Sequence, residues 1–90
     1  MLRAEIARTV SRYMEAVVEV GTGARSKIAG VRVAGKTGTA ELNNTGLNQP
    51  WFMGFTPDVA VAVTLERFQG GTGGVNAAPI AKAVLQALGQ

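Results

Sequence analysis

The chain has 90 residues, 47% of them apolar and 17% charged, and carries a formal net charge of +3 from nine Lys and Arg against six Asp and Glu. A chain of this length buries little more than about 60% of its unfolded surface, so it is one small domain or part of a larger one, and its apolar content excludes disorder. Cysteine and histidine are both absent, which removes disulfides, thiol and imidazole nucleophiles and the usual zinc ligands. No metal and no cofactor are expected. The basic residues are scattered from Arg3 to Lys82 and form no stripe, which argues against nucleic acid as a partner. No stretch approaches the roughly 20 apolar residues of a membrane span, and the opening MLRAEIARTV is too charged for a signal-peptide core, so no targeting signal is expected within the chain.

In chain order, Leu2, Ile6, Val10, Tyr13, Met14, Val17 and Val18 fall at helical spacing, with Arg3, Arg8, Arg12, Glu15 and Glu19 largely on other faces. They predict a helix over residues 2–20 that Gly21 and Gly23 stop. Residues 24–30 connect it to a strand over 31–40, where Val31 and Val33 alternate with Arg32 and Ala34 before Lys36-Thr37-Gly38-Thr39. Residues 42–50, with Asn43, Asn44, Gly46, Asn48 and Pro50, have the composition of a loop. An aromatic strand follows over 51–56, its Trp51, Phe52 and Phe55 read as core. Thr56-Pro57-Asp58 turns the chain into a third strand, in which Val59, Val61, Val63 and Leu65 alternate with Ala60, Ala62 and Thr64. A glycine-rich loop over 69–75 leads to a helix capped by Asn76, with Pro79 in its first turn, running to Leu88 and closed by Gly89. The expected fold class is α+β: a three-stranded antiparallel sheet flanked by an N-terminal and a C-terminal helix, both offering apolar faces to the sheet. Residues 1–90 form one undivided unit.

One lysine belongs to two patterns. Residues 30–37, GVRVAGKT, match the phosphate-loop spacing GxxxxGK[ST]. A phosphate loop needs a tight turn after a strand and a helix opening at the Lys-Thr pair, so that helix amides face the phosphate. Here VRVA is strand-like, Gly38 and the asparagine-rich stretch oppose a helix after Thr37, and Glu66 is a poor stand-in for a magnesium-binding aspartate. The phosphate reading is set aside.

The second pattern is Lys36-Thr37-Gly38, the K-T-G triplet of penicillin-binding proteins and class A β-lactamases. Its setting extends the match: VAGKTGTAE, then WFMGFTPD, then VAVAVTLE, then a glycine-rich loop and NAAPIAKAVL, all after a helix ending in Gly-Thr-Gly. This order resembles the C-terminal portion of a penicillin-binding transpeptidase domain of the β-lactamase-like superfamily of serine acyltransferases, and is similar to class B, though class A enzymes share much of it. The resemblance implies peptidoglycan cross-linking by a D,D-transpeptidase, β-lactam binding, and a membrane-anchored parent with this domain in the periplasm or outside the membrane.

It also implies roles for single residues. Lys36 lies beside the nucleophile and supports the substrate carboxylate; Thr37 and Thr39 hydrogen-bond that carboxylate, carried by a D-alanyl-D-alanine stem peptide or a β-lactam. The Thr39 N–H forms half of the oxyanion hole, and Gly38 keeps the approach clear of a side chain. Lys36 and Thr39 are thus the candidate catalytic residues, and Lys36, Thr37, Gly38 and Thr39 the candidate substrate-binding ones. The family's Ser-x-x-Lys nucleophile is missing: Ser11 is followed three residues on by Met14 and Ser26 by Ala29. The serine-x-asparagine triplet is missing too. The chain alone is therefore expected to be inactive, its partners being the remainder of the domain or a second copy. The alternatives are a fragment of a serine β-lactamase or carboxypeptidase, and a non-catalytic module that binds D-alanyl-D-alanine or β-lactams. Glu41 and Arg67 acquire no role.

Overall fold

The N-terminal apolar repeat folds as α1 (Ala4–Val20), and the extended runs fold as β1 (Ala34–Glu41), β2 (Leu47–Phe55) and β3 (Ala60–Thr64), followed by a two-residue strand β4 (Phe68–Gln69) and the C-terminal helix α2 (Ala78–Ala87). The computed structural model describes residues 3–41, 47–66 and 68–90. Leu2, where the helical periodicity begins, the loop residues 42–46 and Arg67 lie outside the described residues. All pairings are antiparallel. β1 lies along one edge of β2, from Ala34↔Phe55 to Glu41↔Asn48. On the other edge, β3 pairs from Phe55↔Ala60 to Trp51↔Thr64, and β4 meets Leu47 and Asn48. The three main strands and two helices are those expected from the sequence.

The boundaries move where a partner strand is present or missing. Residues 31–33 alternate like a strand, but β2 ends at Phe55, opposite Ala34, so they have no ladder; Val31 N–H instead turns back to the Ile28 carbonyl at 3.1 Å. Conversely, Leu47, Asn48, Gln49 and Pro50, expected in a loop, are strand because β1 runs to Glu41 and pairs with Asn48, Gln49 and Pro50, while Leu47 pairs with Gln69 of β4. Proline is tolerated there because the missing donor faces the β3 side just where β3 ends; the Pro50 carbonyl on that side accepts Leu65 N–H at 2.9 Å. The cap before the C-terminal helix is Thr72, not Asn76. Thr72 Oγ1 accepts Val75 N–H at 3.3 Å, while Asn76 Oδ1 accepts Thr72 N–H at 2.9 Å, and residues Gly73–Ala77 form a π-helical turn leading into α2. Gly89, at φ +82°, ends α2 in the left-handed conformation glycine favours.

Phe52 organises the core. Its ring is fully buried and lies over two glycines paired across the ladder: a methyl group at Gly35 would sit 2.3 Å from Phe52 Cζ, and one at Gly54 2.7 Å from Cε2. Val18, Ile28, Val33, Ala77, Ala78, Ala81 and Leu85 complete the cluster, with Val59, Val61 and Val63 packed against it. The small residues of α2 let its backbone come close to the sheet.

The N-terminal helix docks differently from the expectation. Val18 is its buried residue, with Ala7, Ser11, Met14, Glu15 and Val17 half-buried. Its most regular apolar stripe, Ile6, Val10, Tyr13, Val17 and Val20, repeats at alternating spacings of four and three, yet Tyr13 is 70% and Val20 86% exposed. The sheet takes up the neighbouring face, where Ala7, Ser11, Met14 and Val18 follow the same spacing of four, three and four; the Arg32–Glu15 and Lys27–Glu19 pairs, at 2.7 and 2.8 Å, are surface contacts.

Phe52→Ala removes the ring that fills both glycine gaps, and is expected to cost about 3–5 kcal/mol. Urea unfolding followed by circular dichroism tests this, and a midpoint unchanged from the parent would contradict the central place given to Phe52.

Candidate functional site

β1 carries the candidate residues along an edge with which no strand pairs among the described residues. In an antiparallel ladder, directly opposed residues either exchange both backbone bonds or point both groups away from each other. The Pro50 carbonyl is turned toward Leu65, so Thr39, opposite Pro50, forms a pair of the second kind. The N–H and C=O of Thr39 therefore project from the outer edge, as do those of Thr37 two residues earlier. Pro50, which the sequence suggested only as a loop residue, is thus the register mark that shows which amides face outward.

The side chains divide between the two faces. Lys36 is exposed, on the face of β2 that carries Trp51, Met53 and Phe55. Its Nζ donates to the Thr37 carbonyl and sits 5.8 Å from the centre of the Trp51 ring, within cation–π range. The head of the lysine is thereby drawn to the edge where the Thr37 and Thr39 backbone groups emerge. No carboxylate lies within ion-pair distance of Lys36 among the described residues. Its charge remains available to an anion.

Thr37 and Thr39 share the opposite face but not the same environment. Thr39 is exposed, whereas Thr37 is buried and its Oγ1 is 2.7 Å from Thr22 Oγ1. Thr22 was not singled out by sequence reasoning, which took Gly21-Thr22-Gly23 only as a helix stop. The turn after α1 is in fact docked on the strand. The glycine-rich loop docks there too: a methyl group at Gly74 would lie 2.4 Å from the Thr22 carbonyl oxygen, and one at Gly73 would lie 2.2 Å from the Trp51 carbonyl oxygen and 2.8 Å from Gly38 N. Gly38 has no room for a side chain. The nearest group is the Trp51 ring, whose Cε2 and Cζ2 would be 2.1 Å from a Gly38 methyl group.

Ser26 is fully buried and donates to the Gly23 carbonyl at 2.7 Å within the 3₁₀ turn Ala24–Ser26, while Ser11 is half-buried on α1. Among the described residues no helix is long and apolar enough to cross a membrane.

A K-T-G strand at the edge of an antiparallel sheet, with helices before and after it, defines a unit of the β-lactamase-like α+β fold. A family model for the penicillin binding protein transpeptidase domain matches residues 1–86, and the chain belongs to that family. It is 41% identical over 95 residues to the peptidoglycan D,D-transpeptidase PbpA of Mycolicibacterium smegmatis, covering 92% of this chain and 19% of that protein. It is 33% identical over 64 residues to penicillin-binding protein 1A/1B of Bacillus subtilis, covering 60% of this chain and 7% of that protein. Among solved structures, the transpeptidase domain of the FtsI4 D,D-transpeptidase from Legionella pneumophila superposes with a TM-score of 0.87 at 30% identity, over 99% of this chain and 37% of that one. The D,D-transpeptidase domain of a peptidoglycan glycosyltransferase from Eggerthella lenta superposes at 0.66 with 38% identity, over 88% of this chain and 19% of that one. The chain spans about a fifth of the length of PbpA.

The Thr22–Thr37 contact is expected to contribute about 1 kcal/mol. Thr22→Val and Thr37→Val should each lower the unfolding free energy, and the double variant should lose less than the sum of the two. Strictly additive losses in denaturant titrations would show that the hydroxyls are not coupled.

Proposed function

We propose that the chain is the C-terminal segment of a D,D-transpeptidase domain, and that the outer edge of β1 grips its substrate. In this reading Lys36 draws in the terminal carboxylate of a D-alanyl-D-alanine stem peptide, or that of a β-lactam, and the Thr39 hydroxyl hydrogen-bonds it. Thr37 contributes through its place on the strand, since its hydroxyl is engaged with Thr22. The outward N–H of Thr39 supplies one oxyanion donor, a contact whose loss costs about two to three powers of ten in rate. The observation that carries the reading is the pairing of that outward amide with a lysine head drawn to the same edge and free of a carboxylate partner among the described residues.

Acyl transfer also needs a nucleophile and a base, which these 90 residues lack. Both would come from the rest of the domain. The exposed stripe on α1 supports the same division, because an apolar surface of that regularity calls for a packed neighbour. The remainder of the domain is the partner proposed for it, with a second copy of the chain as substitute in isolation. In this reading the work is done in the periplasm or outside the membrane by a membrane-anchored parent protein, which the likeness to a peptidoglycan D,D-transpeptidase supports.

Two measurements test the reading. Incubation with a fluorescent penicillin should leave no covalent band on a denaturing gel; a band would reveal an unrecognised nucleophile. Titration with a D-alanyl-D-alanine peptide should shift amide resonances at Lys36–Thr39, and Lys36→Met should weaken the binding roughly ten-fold. Shifts confined to other regions, or an unaffected Lys36→Met, would sink the assignment. As for the α1 stripe, sedimentation should show concentration-dependent association that Val10→Lys with Tyr13→Lys abolishes; a monomer at all concentrations would count against an exposed docking face.

A further inference from the structure

Trp51 is fixed more tightly than a residue that merely fills space. Its backbone is held on both sides, paired with Gly38 of β1 and Thr64 of β3, and its carbonyl oxygen is approached closely by Gly73. Its ring occupies the space over Gly38, where even a methyl group would come within 2.1 Å of it. The same ring stands 5.8 Å from Lys36 Nζ. We propose that Trp51 is the positioning residue for Lys36, and that Gly38 serves the lysine indirectly by leaving the space in which the ring lies.

Three observations combine to this end. A lysine side chain is a point charge on a flexible four-carbon stem, so an exposed strand lysine samples many directions. Here the head has two partners, the Thr37 carbonyl and the face of the indole, and both direct it along the strand toward Thr39. Neither partner is an anion, so the ammonium is oriented without being neutralised. A carboxylate in the place of Trp51 would hold the lysine more strongly but would occupy the charge that the substrate carboxylate needs. The first and third residues of the Lys36-Thr37-Gly38 triplet are thus linked through a side chain 13 positions further on. The inference rests on the proposal that Lys36 grips a carboxylate, but its geometric part can be tested without any ligand.

In proton NMR spectra of the unliganded chain, the Lys36 side-chain methylene signals nearest the ammonium should lie upfield of those of Lys82, because the Lys36 head lies over the Trp51 ring. Trp51→Phe should keep part of this displacement and Trp51→Leu should abolish it. In titrations with a D-alanyl-D-alanine peptide, Trp51→Leu should weaken binding about two- to five-fold, with Trp51→Phe in between. Lys36→Arg, which keeps a cation over the ring, should retain the dependence on Trp51, and Lys36→Met should lose it. Lys36 methylene signals at the position of Lys82 in the parent chain would overturn the proposal, as would Trp51→Phe and Trp51→Leu binding alike. If Trp51→Leu does not fold, the parent spectrum and Trp51→Phe decide. Normal ring displacement together with absent peptide binding would retain the positioning of Lys36 and overturn the substrate reading instead.

Discussion

Three glycines leave the β1–β2 ladder bare at chosen points, and aromatic rings fill the gaps on both faces. Gly35 and Gly54 stand opposite each other beneath Phe52, and Gly38 stands beneath Trp51. Because side chains alternate along a strand, Phe52 and Trp51 project to opposite faces of the sheet. One ring is sealed in the core with α2, and the other lies beside the exposed lysine. A slip of one residue in this register would place both rings against the wrong faces, so the pairing that builds the core also sets the site. Glycine in a strand is ordinarily a weakness, offset here by the area of ring it lets come into contact.

The candidate site is accordingly made mostly of backbone. Thr39 is aimed outward by the hydrogen-bond alternation of the ladder, and the bond from Leu65 to Pro50 fixes its phase. Thr22 and the glycine-rich loop support the strand, through the Thr37 hydroxyl and through backbone contacts that only glycine permits at residues 73 and 74. A group held by a ladder and by close-packed loops changes little when a ligand arrives, which is the property wanted of an electrostatic donor. Lys36 is the flexible member, and the Trp51 ring and Thr37 carbonyl restrict it.

Other faces of the chain are open. Exposed Met53, Ala60, Ala62 and Thr64 share the outer face of the sheet with Lys36, and Met53, Ala60 and Ala62, beside Met14, border a shallow cavity of about 440 Å³. The apolar stripe of α1 adds to this open surface. Covering 37% of a solved transpeptidase domain at a TM-score of 0.87, the chain keeps the fold of its part of that domain while leaving open surfaces on α1 and the outer sheet face.

Much was legible in the sequence because it depends on neighbours along the chain. Helical spacing in α1, alternation in β3, the turn at Thr56-Pro57-Asp58 and the closing Gly89 are local, and each forms where expected. The Lys36-Thr37-Gly38 triplet and its ordered surroundings were likewise readable, and so was the absence of a Ser-x-x-Lys sequence. Residues that meet across the fold were not readable. The sequence could not show that Asn48, Gln49 and Pro50 would find partners in β1, that Thr22 would reach Thr37, or that Trp51 would leave the core role expected of it to stand beside Lys36. Nor could it choose between two apolar faces of α1, since periodicity records that a helix has such a face and not which neighbour it meets. The sequence by itself determined the elements, the family and the residues of a candidate site; the tertiary structure decided which backbone groups face outward and which ring lies beside the lysine, because both depend on strand register, a relation between residues far apart in the chain.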